Sequence, residues 1–404
     1  MRGFAQETVV VILGGGKGER LLPLTEMRAK PAVPFSGRHR IVDFPLSNAV
    51  NSGLRKILLI LATNAPSAIQ HANLGWNIFH TELGEYCRVL TPRQGIYAGT
   101  ADAVFQNSYH LEAEEPRYVL IVSGDQIYKM DYSVLLAYHS SKEADLTISA
   151  LETEDIELAR RSGVLEIDEE GRVIGFEEKP SNPKPMLGAK KYLISMGIYC
   201  FNSGDLIRGL AEDSLEESSN HDFGKDIIPG MVRDEKKSVY VFLFRKENNE
   251  PGYWLDIGTI DSYYVASMGL LEVNPDFNLY DQNWPWRTYQ KQLPPTKVVF
   301  EADIRGSIIC EGCVIDVSEI TRSILSPGVK IGKGVIVIDS IVMNGVAVGD
   351  GSVVKRAIVD KENVISAGSI IQSGNMRYEG RYETTASGIV IIPRHHAEWK
   401  GFHQ

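Results

Sequence analysis

Short apolar, strand-like runs recur through the first two thirds of the chain: Val9–Leu13, Ile57–Leu61, Tyr118–Val122, Leu146–Leu151 and Val239–Phe244. Each has strand length, and the unbroken, β-branched run Val9–Leu13 predicts a strand covered by helices on both faces. Helical stretches separate them from residue 7 to about 265. This βαβ rhythm predicts an α/β fold built on a mostly parallel, Rossmann-like sheet. In such sheets ligands bind beyond the carboxyl ends of the strands, which is where Gly14–Arg20 and Ser123-Gly124-Asp125 fall.

Beyond residue 300 the pattern changes. Small aliphatic residues recur every six positions, at Val329, Val335, Ile341, Ala347, Val353, Val359, Ile365 and Ile371. An earlier set, Ile308, Val314 and Ile320, is displaced by three, as an insertion at the Ser326-Pro327-Gly328 corner would produce. Hexapeptide periods predict a C-terminal left-handed parallel β-helix whose rungs share one apolar core. A β-sandwich would show less regular spacing. The expected division is therefore 1–280 for the sheet domain, 281–300 for a connector rich in Trp and Pro, and 301–404 for a regulatory or oligomerisation β-helix. No histidine lies between residues 300 and 390, so an acyltransferase β-helix would lack a base there.

Composition adds exclusions. The chain has 404 residues, 43% hydrophobic and 23% charged, which is ordinary for a folded globular protein. The first ten residues lack a secretory leader pattern, and no apolar run approaches the ~20 residues of a membrane span, so a cytoplasmic protein is expected. The formal net charge of −10 opposes nucleic-acid or anionic-membrane binding. Yet Lys17, Arg20, Arg28, Lys30, Arg38, Arg40, Arg55 and Lys56 crowd one segment, against Glu19, Glu26 and Asp43. A small polyanion is the expected ligand. The four cysteines are too few and scattered for a disulfide scaffold, and Cys310-Glu311-Gly312-Cys313 lacks the second ligand pair of a zinc site.

The chemistry concentrates after the first strand, where Gly14, Gly15, Gly16 and Gly18 surround Lys17. Glycines let backbone N–H groups approach a phosphate and permit unusual φ values. A P-loop would need Ser or Thr after its lysine, and a dinucleotide fold a spaced glycine fingerprint with an acidic residue ending a second strand. Neither pattern is present.

Six segments together resemble the sugar-nucleotide pyrophosphorylases: LGGGKGERLLPLT with RAKPAVPFSGRHRIVDFPLSN at 13–48, GTADAVFQN at 99–107, SGDQIYKMDY at 123–132, FEEKP at 176–180, SNHDFGKDIIP at 219–229 and YWLDIGT at 253–259. RAKPAVPF, HDFGKDIIP and the connector NWPWRTYQKQLPP at 283–295 are most similar to the ADP-glucose branch. The resemblance implies a nucleotidyltransferase that makes ADP-glucose and pyrophosphate from ATP and glucose 1-phosphate for bacterial glycogen synthesis, with Mg²⁺, as a homotetramer. Alternatives within it are a weakly catalytic regulatory subunit and an enzyme of other nucleotide specificity.

The same resemblance assigns roles. Leu13, Gly14, Gly15, Gly16, Gln94, Gly99 and Thr100 would contact the nucleotide. Lys17 and Arg20 would hold the triphosphate and the departing pyrophosphate, and Asp125 and Asp256 would be the metal carboxylates. Tyr97, Gly163, Glu178, Lys179 and Ser195 would bind glucose 1-phosphate. Arg38, Arg40 and Arg394 would contact a small anionic effector. Ala62-Thr63-Asn64 and Ile96 depart from the family's activation loops, so the familiar effector is not expected to act.

Overall fold

The computed structural model describes residues 2–16, 18–62, 65–93, 95–186, 188–246 and 248–394. The chain forms two compact units: Met1–Gly16 with Val42–Leu255, and Lys17–Ile41 with Asp256–Gln404.

The first unit is built on a nine-stranded sheet. Its strands are β1 (Thr8–Gly14), β2 (Lys56–Leu61), β3 (Tyr86–Leu90), β4 (Tyr118–Ser123), β5 (Leu146–Thr153), β6 (Gly163–Ile167), β7 (Val173–Glu178), β8 (Tyr192–Asn202) and β9 (Val239–Leu243). They are ordered β7-β6-β8-β4-β1-β2-β3, with β5 paired to both β8 and β9. Strands β3, β2, β1 and β4 run parallel, as do β5 and β9, whereas β8 is antiparallel to β4 and β5. The unbroken apolar runs have a direct cause. Val9 and Val11 pack into the core layer shared with Leu58, Ile60, Val119 and Ile121, while Val10 and Ile12 are equally buried on the other face. Burying such a side chain stabilises by about 1.5–3 kcal/mol, which favours apolar residues on both faces. Strands β6, β7 and β8 gave no comparable run; β8 is interrupted by Ser195 and Gly197, where its pairing with β5 bulges.

The second unit is a parallel β-helix of three sheets. Its repeat is 17 residues: Glu319 pairs with Ile336, Ile336 with Val353, and Val353 with Ile370. The six-residue register expected from sequence would require 18. It therefore drifts, leaving Ala347 and Val353 half-buried while Val346, Val348 and Val354 fill the core. The displacement of the early set by three accumulates from a 16-residue step, Ile308 to Ile324, followed by a 17-residue one, Ile324 to Ile341, where six-residue spacing needs 18 each time, rather than from an insertion at Ser326–Gly328.

The compact units are not simple stretches of chain on either side of the connector. Segment 18–41 and the helix Ile260–Gly269 join the β-helix instead. The Tyr263 hydroxyl donates to the Pro34 carbonyl (2.8 Å) and Tyr264 to that of Asp339 (2.6 Å). Arg28 pairs with Asp360 at 2.9 Å. Gly37, at φ +84, lies where a Cβ would come within 2.8 Å of Cys310 Sγ. Cys310 and Cys313 are buried free thiols, with burial pushing Cys310 up to about 12. Among the described residues no helix is long and apolar enough to cross a membrane.

Candidate functional site

In the first unit the strand ends come into line as the sequence predicts. Leu13 pairs with Ser123 and Gly14 with Leu61, and the Gly124 amide donates to the Leu13 carbonyl at 2.8 Å. The glycine loop and Asp125 thus share one sheet edge. A Cβ at Gly124 would sit 3.0 Å from that carbonyl, which accounts for the glycine. The expectation of unusual φ angles fails for Gly15 and Gly16: neither is left-handed, and a Cβ at either would meet no atom within 4 Å. What they leave there is open, exposed backbone, able to offer N–H groups to an anion. Asp125 accepts from the Ser123 hydroxyl at 2.5 Å.

Farther along this unit, three segments, 162–163, 195–199 and 222–224, gather around Glu178 and Lys179. Lys179 Nζ lies 2.8 Å from Glu178 Oε1. A Cβ at Gly163 would come within 2.4 Å of the Phe176 ring and 3.0 Å of Glu178 Oε2, and one at Gly224 within 2.6 Å of that oxygen, so Gly224 makes room for the carboxylate and Gly163 chiefly for the ring beside it. Lys179 itself is left-handed (φ 50), its amide donating to the Ser162 carbonyl (3.1 Å), so its ammonium projects from a tight turn. Ser195 is buried, and its hydroxyl donates to the Tyr199 hydroxyl (3.3 Å). Burial raises the Tyr199 phenol, and the nearby charges of Glu178 and Asp222 raise it further. Tyr97 is tied elsewhere, its hydroxyl accepting from Asn107 at 3.1 Å.

The nucleotide-side candidates Gly99 and Thr100 open a short helix, α1 (Thr100–Phe105), against the segment His221–Lys225. Thr100 Oγ1 donates to Asp222 Oδ2 (2.9 Å) and accepts from the Phe223 amide (3.0 Å). Asp222 and Tyr199 were not singled out from sequence; the only signal was the HDFGKD string, read there as a branch marker.

In the second unit, Gly18 is left-handed (φ 65) and packed so that a Cβ would lie 2.9 Å from Thr25 Cγ2. Gly258 brings Arg20 and Asp256 together: its Cβ position is 3.3 Å from Arg20 Nη2 and 3.5 Å from Asp256 Oδ2. Lys30 Nζ donates to Asp256 Oδ1 at 2.7 Å. Lys30 is buried, and its place in RAKPAVP was the signal for it.

The effector candidates separate. Arg40 and Arg394 both act on Lys361, with Arg28. Desolvation, then Arg40 and Arg28, push the Lys361 ammonium down to about 7 against the opposing Asp360, and Arg394 adds to the shift. Arg28 Nη1 donates to Asp360 (2.9 Å), while its buried Nη2 has no partner among the described residues. Arg394 also pairs with Glu362. Arg38 lies 3.7 Å from Glu311 instead and is not among the charges acting on Lys361. Lys361 gave no sequence signal, since Asp-Lys-Glu at a β-helix corner reads as solvated surface. Lys17, Gln94, Thr63, Asn64, His395 and His396 lie outside the described residues.

Residues 9–273 match the nucleotidyl transferase family model, and residues 294–392 the GlmU-like, C-terminal hexapeptide model, whose β-helix is left-handed. The chain is similar to the glucose-1-phosphate adenylyltransferase of Rhodopirellula baltica, 46% identical over 352 residues, covering 83% of this chain and 78% of that protein. It is also 46% identical to the enzyme so named in Shewanella baltica over 351 residues, 84% of this chain and 83% of that one. A third, from Methylococcus capsulatus, is 44% identical over 351 residues, 84% and 82% of the two chains.

Proposed function

This chain belongs to the glucose-1-phosphate adenylyltransferase family of nucleotidyl transferases, and from that premise we propose how its residues divide the work. The reaction joins ATP and glucose 1-phosphate. An oxygen of the sugar phosphate attacks the α-phosphorus of ATP, the bond to the bridging oxygen breaks, and pyrophosphate leaves with ADP-glucose formed. Two polyanions must meet, so cations and positioning matter more than proton transfer.

The observation that carries the assignment is the convergence on Glu178 of Gly163, Lys179, Gly224 and, through Tyr199, Ser195. In this reading Lys179 neutralises the sugar phosphate, Glu178 accepts from sugar hydroxyls, and Ser195 with Tyr199 lines the wall. Backbone N–H groups of Gly14–Gly16 meet the triphosphate, and Lys17 and Arg20 the departing pyrophosphate. Gly99 and Thr100 lie along the nucleotide and Gln94 reads the base. Tyr97, its hydroxyl held by Asn107, stands with the sugar-side residues.

Asp125 and Asp256 fit Mg²⁺ by donor type. Among the described residues no group of three or more His, Cys, Asp or Glu side chains could cage a metal. Magnesium commonly takes one or two carboxylates and completes its shell with phosphate oxygens and water. When bound it supplies charge neutralisation on the phosphates. Lys30 holds Asp256 in place from the protein side.

Arg28, Arg40, Lys361 and Arg394 form the effector site for a small phosphorylated anion, Arg28 Nη2 and the discharged Lys361 being satisfied by it; Arg38 belongs to the Glu311 contact. The protein is a cytoplasmic homotetramer supplying ADP-glucose for glycogen. Pyrophosphate release with glucose 1-phosphate, Mg²⁺ and each of ATP, UTP, GTP and dTTP tests the reading: ATP alone should turn over rapidly. Comparable turnover with another triphosphate would contradict it.

A further inference from the structure

The His221 carbonyl sits at the opening of α1, accepting from the amides of Ala101 (2.8 Å) and Asp102 (3.2 Å). It comes so close that a Cβ at Gly99 would lie 2.2 Å from it. That approach requires His221 to be left-handed (φ 52), a conformation histidine tolerates better than most residues but does not favour. Three hydrogen bonds hold it there. His221 Nδ1 donates to Asp213 Oδ2 (2.9 Å), the His221 amide donates to Ser219 Oγ (2.9 Å), and Ser219 Oγ donates to Asp213 Oδ1 (2.6 Å). Asp213 belongs to helix α2 (Ser203–Ser214), so the loop is tied to a rigid element.

Phe223 anchors the middle of this loop in the core against Tyr199 and Phe201, whereas its His221 end leans on polar groups. Asp213, Ser219, Lys225 and Asp226 line a groove of about 390 Å³ there. The front carries the consequence. The neighbouring Asp222 carboxylate accepts from Thr100 on one oxygen and from the amides of Gly224 (3.0 Å) and Lys225 (3.2 Å) on the other. Gly224 in turn abuts Glu178. One short segment thus sets the helix proposed to face the nucleotide against the carboxylate proposed to face the sugar.

We propose that His221 and Asp213 are positioning residues for adenylyl transfer, fixing the His221–Lys225 loop so that the Thr100 and Glu178 sides stand at reacting distance. The inference rests on the reading of Thr100 and Glu178 given above. Misplacing reactants by about 1 Å can cost ~10²-fold in rate, so a loosened loop should show in kcat as well as in KM. The pair also has a charge state. The bond to Asp213, with the further charges of Asp213, Asp102 and Asp226, raises the His221 imidazolium against desolvation. While protonated it makes a charge-assisted bond; as pH rises through its raised pKa the bond becomes a neutral one and the loop loosens.

The test is steady-state kinetics and thermal melting of the full chain for His221→Ala, His221→Asn and Asp213→Asn, beside Glu178→Gln. Asparagine takes the left-handed conformation and can donate to Asp213. His221→Ala should lose about tenfold or more in kcat and raise KM for both substrates. His221→Asn should recover most of that loss and abolish the alkaline decline in kcat/KM. Asp213→Asn, which keeps both backbone and side-chain size, reports on the pair if the alanine variant does not fold. Wild-type kcat, KM and pH profile in His221→Ala or Asp213→Asn, with only a lower melting temperature, would overturn the proposal. Failure of Glu178→Gln to raise KM for glucose 1-phosphate would instead overturn the site reading beneath it.

Discussion

Lys179 and Arg28 carry the same charge into opposite settings. The Lys179 side chain is 61% exposed and paired with Glu178, whereas that of Arg28 is 3% exposed and paired with Asp360, itself 2% exposed. A group that must capture and release a substrate phosphate on every turnover has to stay hydrated and mobile. A buried cation is dehydrated already, and its partner must be fixed for the fold to survive. In the proposed reading the sheet unit therefore keeps its reacting charge at exposed strand ends. The β-helix unit embeds charge in the contact between its rungs and the segment 18–41.

The sharpest way to break this comparison is to remove the buried member. Arg28→Leu strands the Asp360 carboxylate and should cost about 3–5 kcal/mol of stability, read by denaturant unfolding. A change under about 1 kcal/mol, the range of exposed pairs, would mean the two cations are held alike. Lys179→Ala should do the converse. Unfolding should barely change, while KM for glucose 1-phosphate rises roughly tenfold to a hundredfold, as loss of one charge-assisted bond implies.

Thr100→Val removes one donor and one acceptor without changing volume much. At about 1 kcal/mol per hydrogen bond, KM for ATP should rise several-fold. The smallest effect concerns pH. Lys361 is depressed to about 7 from 10.5, so the unfolded chain holds its proton more tightly between those values. Stability should then rise with pH across that window, and Lys361→Met should flatten the rise. A bound anion reverses the sign, drawing a proton onto Lys361, so effector affinity should weaken above pH 7. Calorimetry in buffers of different ionisation enthalpy would detect that uptake, and its absence would remove Lys361 from the site.

The same contrast governs what could be read from sequence. Strands with both faces buried, β1, β2 and β4, announce themselves as apolar runs, and β5 and β9 also fall where theirs predict, although β5 buries Thr147 and Ser149 and β9 has one half-buried face. Strand β8 does not, because Ser195 and Gly197 interrupt it for the sake of a bulge. The β-helix was legible as a period, but its length of 17 rather than 18 was not, since neighbouring valines at 346–348 and 353–354 fit either register. Glycine stands in these segments for varied reasons: Gly18 bends the backbone, Gly163 clears room for the Phe176 ring and Gly224 for Glu178, and Gly15 and Gly16 leave open space. Lys361 became visible only in three dimensions, as did the burial of Arg28, because nothing local distinguishes a buried cation from a solvated one.

The most direct measurement is kcat for Mg²⁺-dependent pyrophosphate release from ATP and glucose 1-phosphate in Asp125→Asn. The substitution keeps shape and removes the carboxylate charge beside the glycine loop. Losing a key electrostatic group should lower kcat by about two orders of magnitude or more, with unfolding unchanged. A kcat within a few-fold of the unsubstituted enzyme would contradict the placement of the chemistry at that sheet edge.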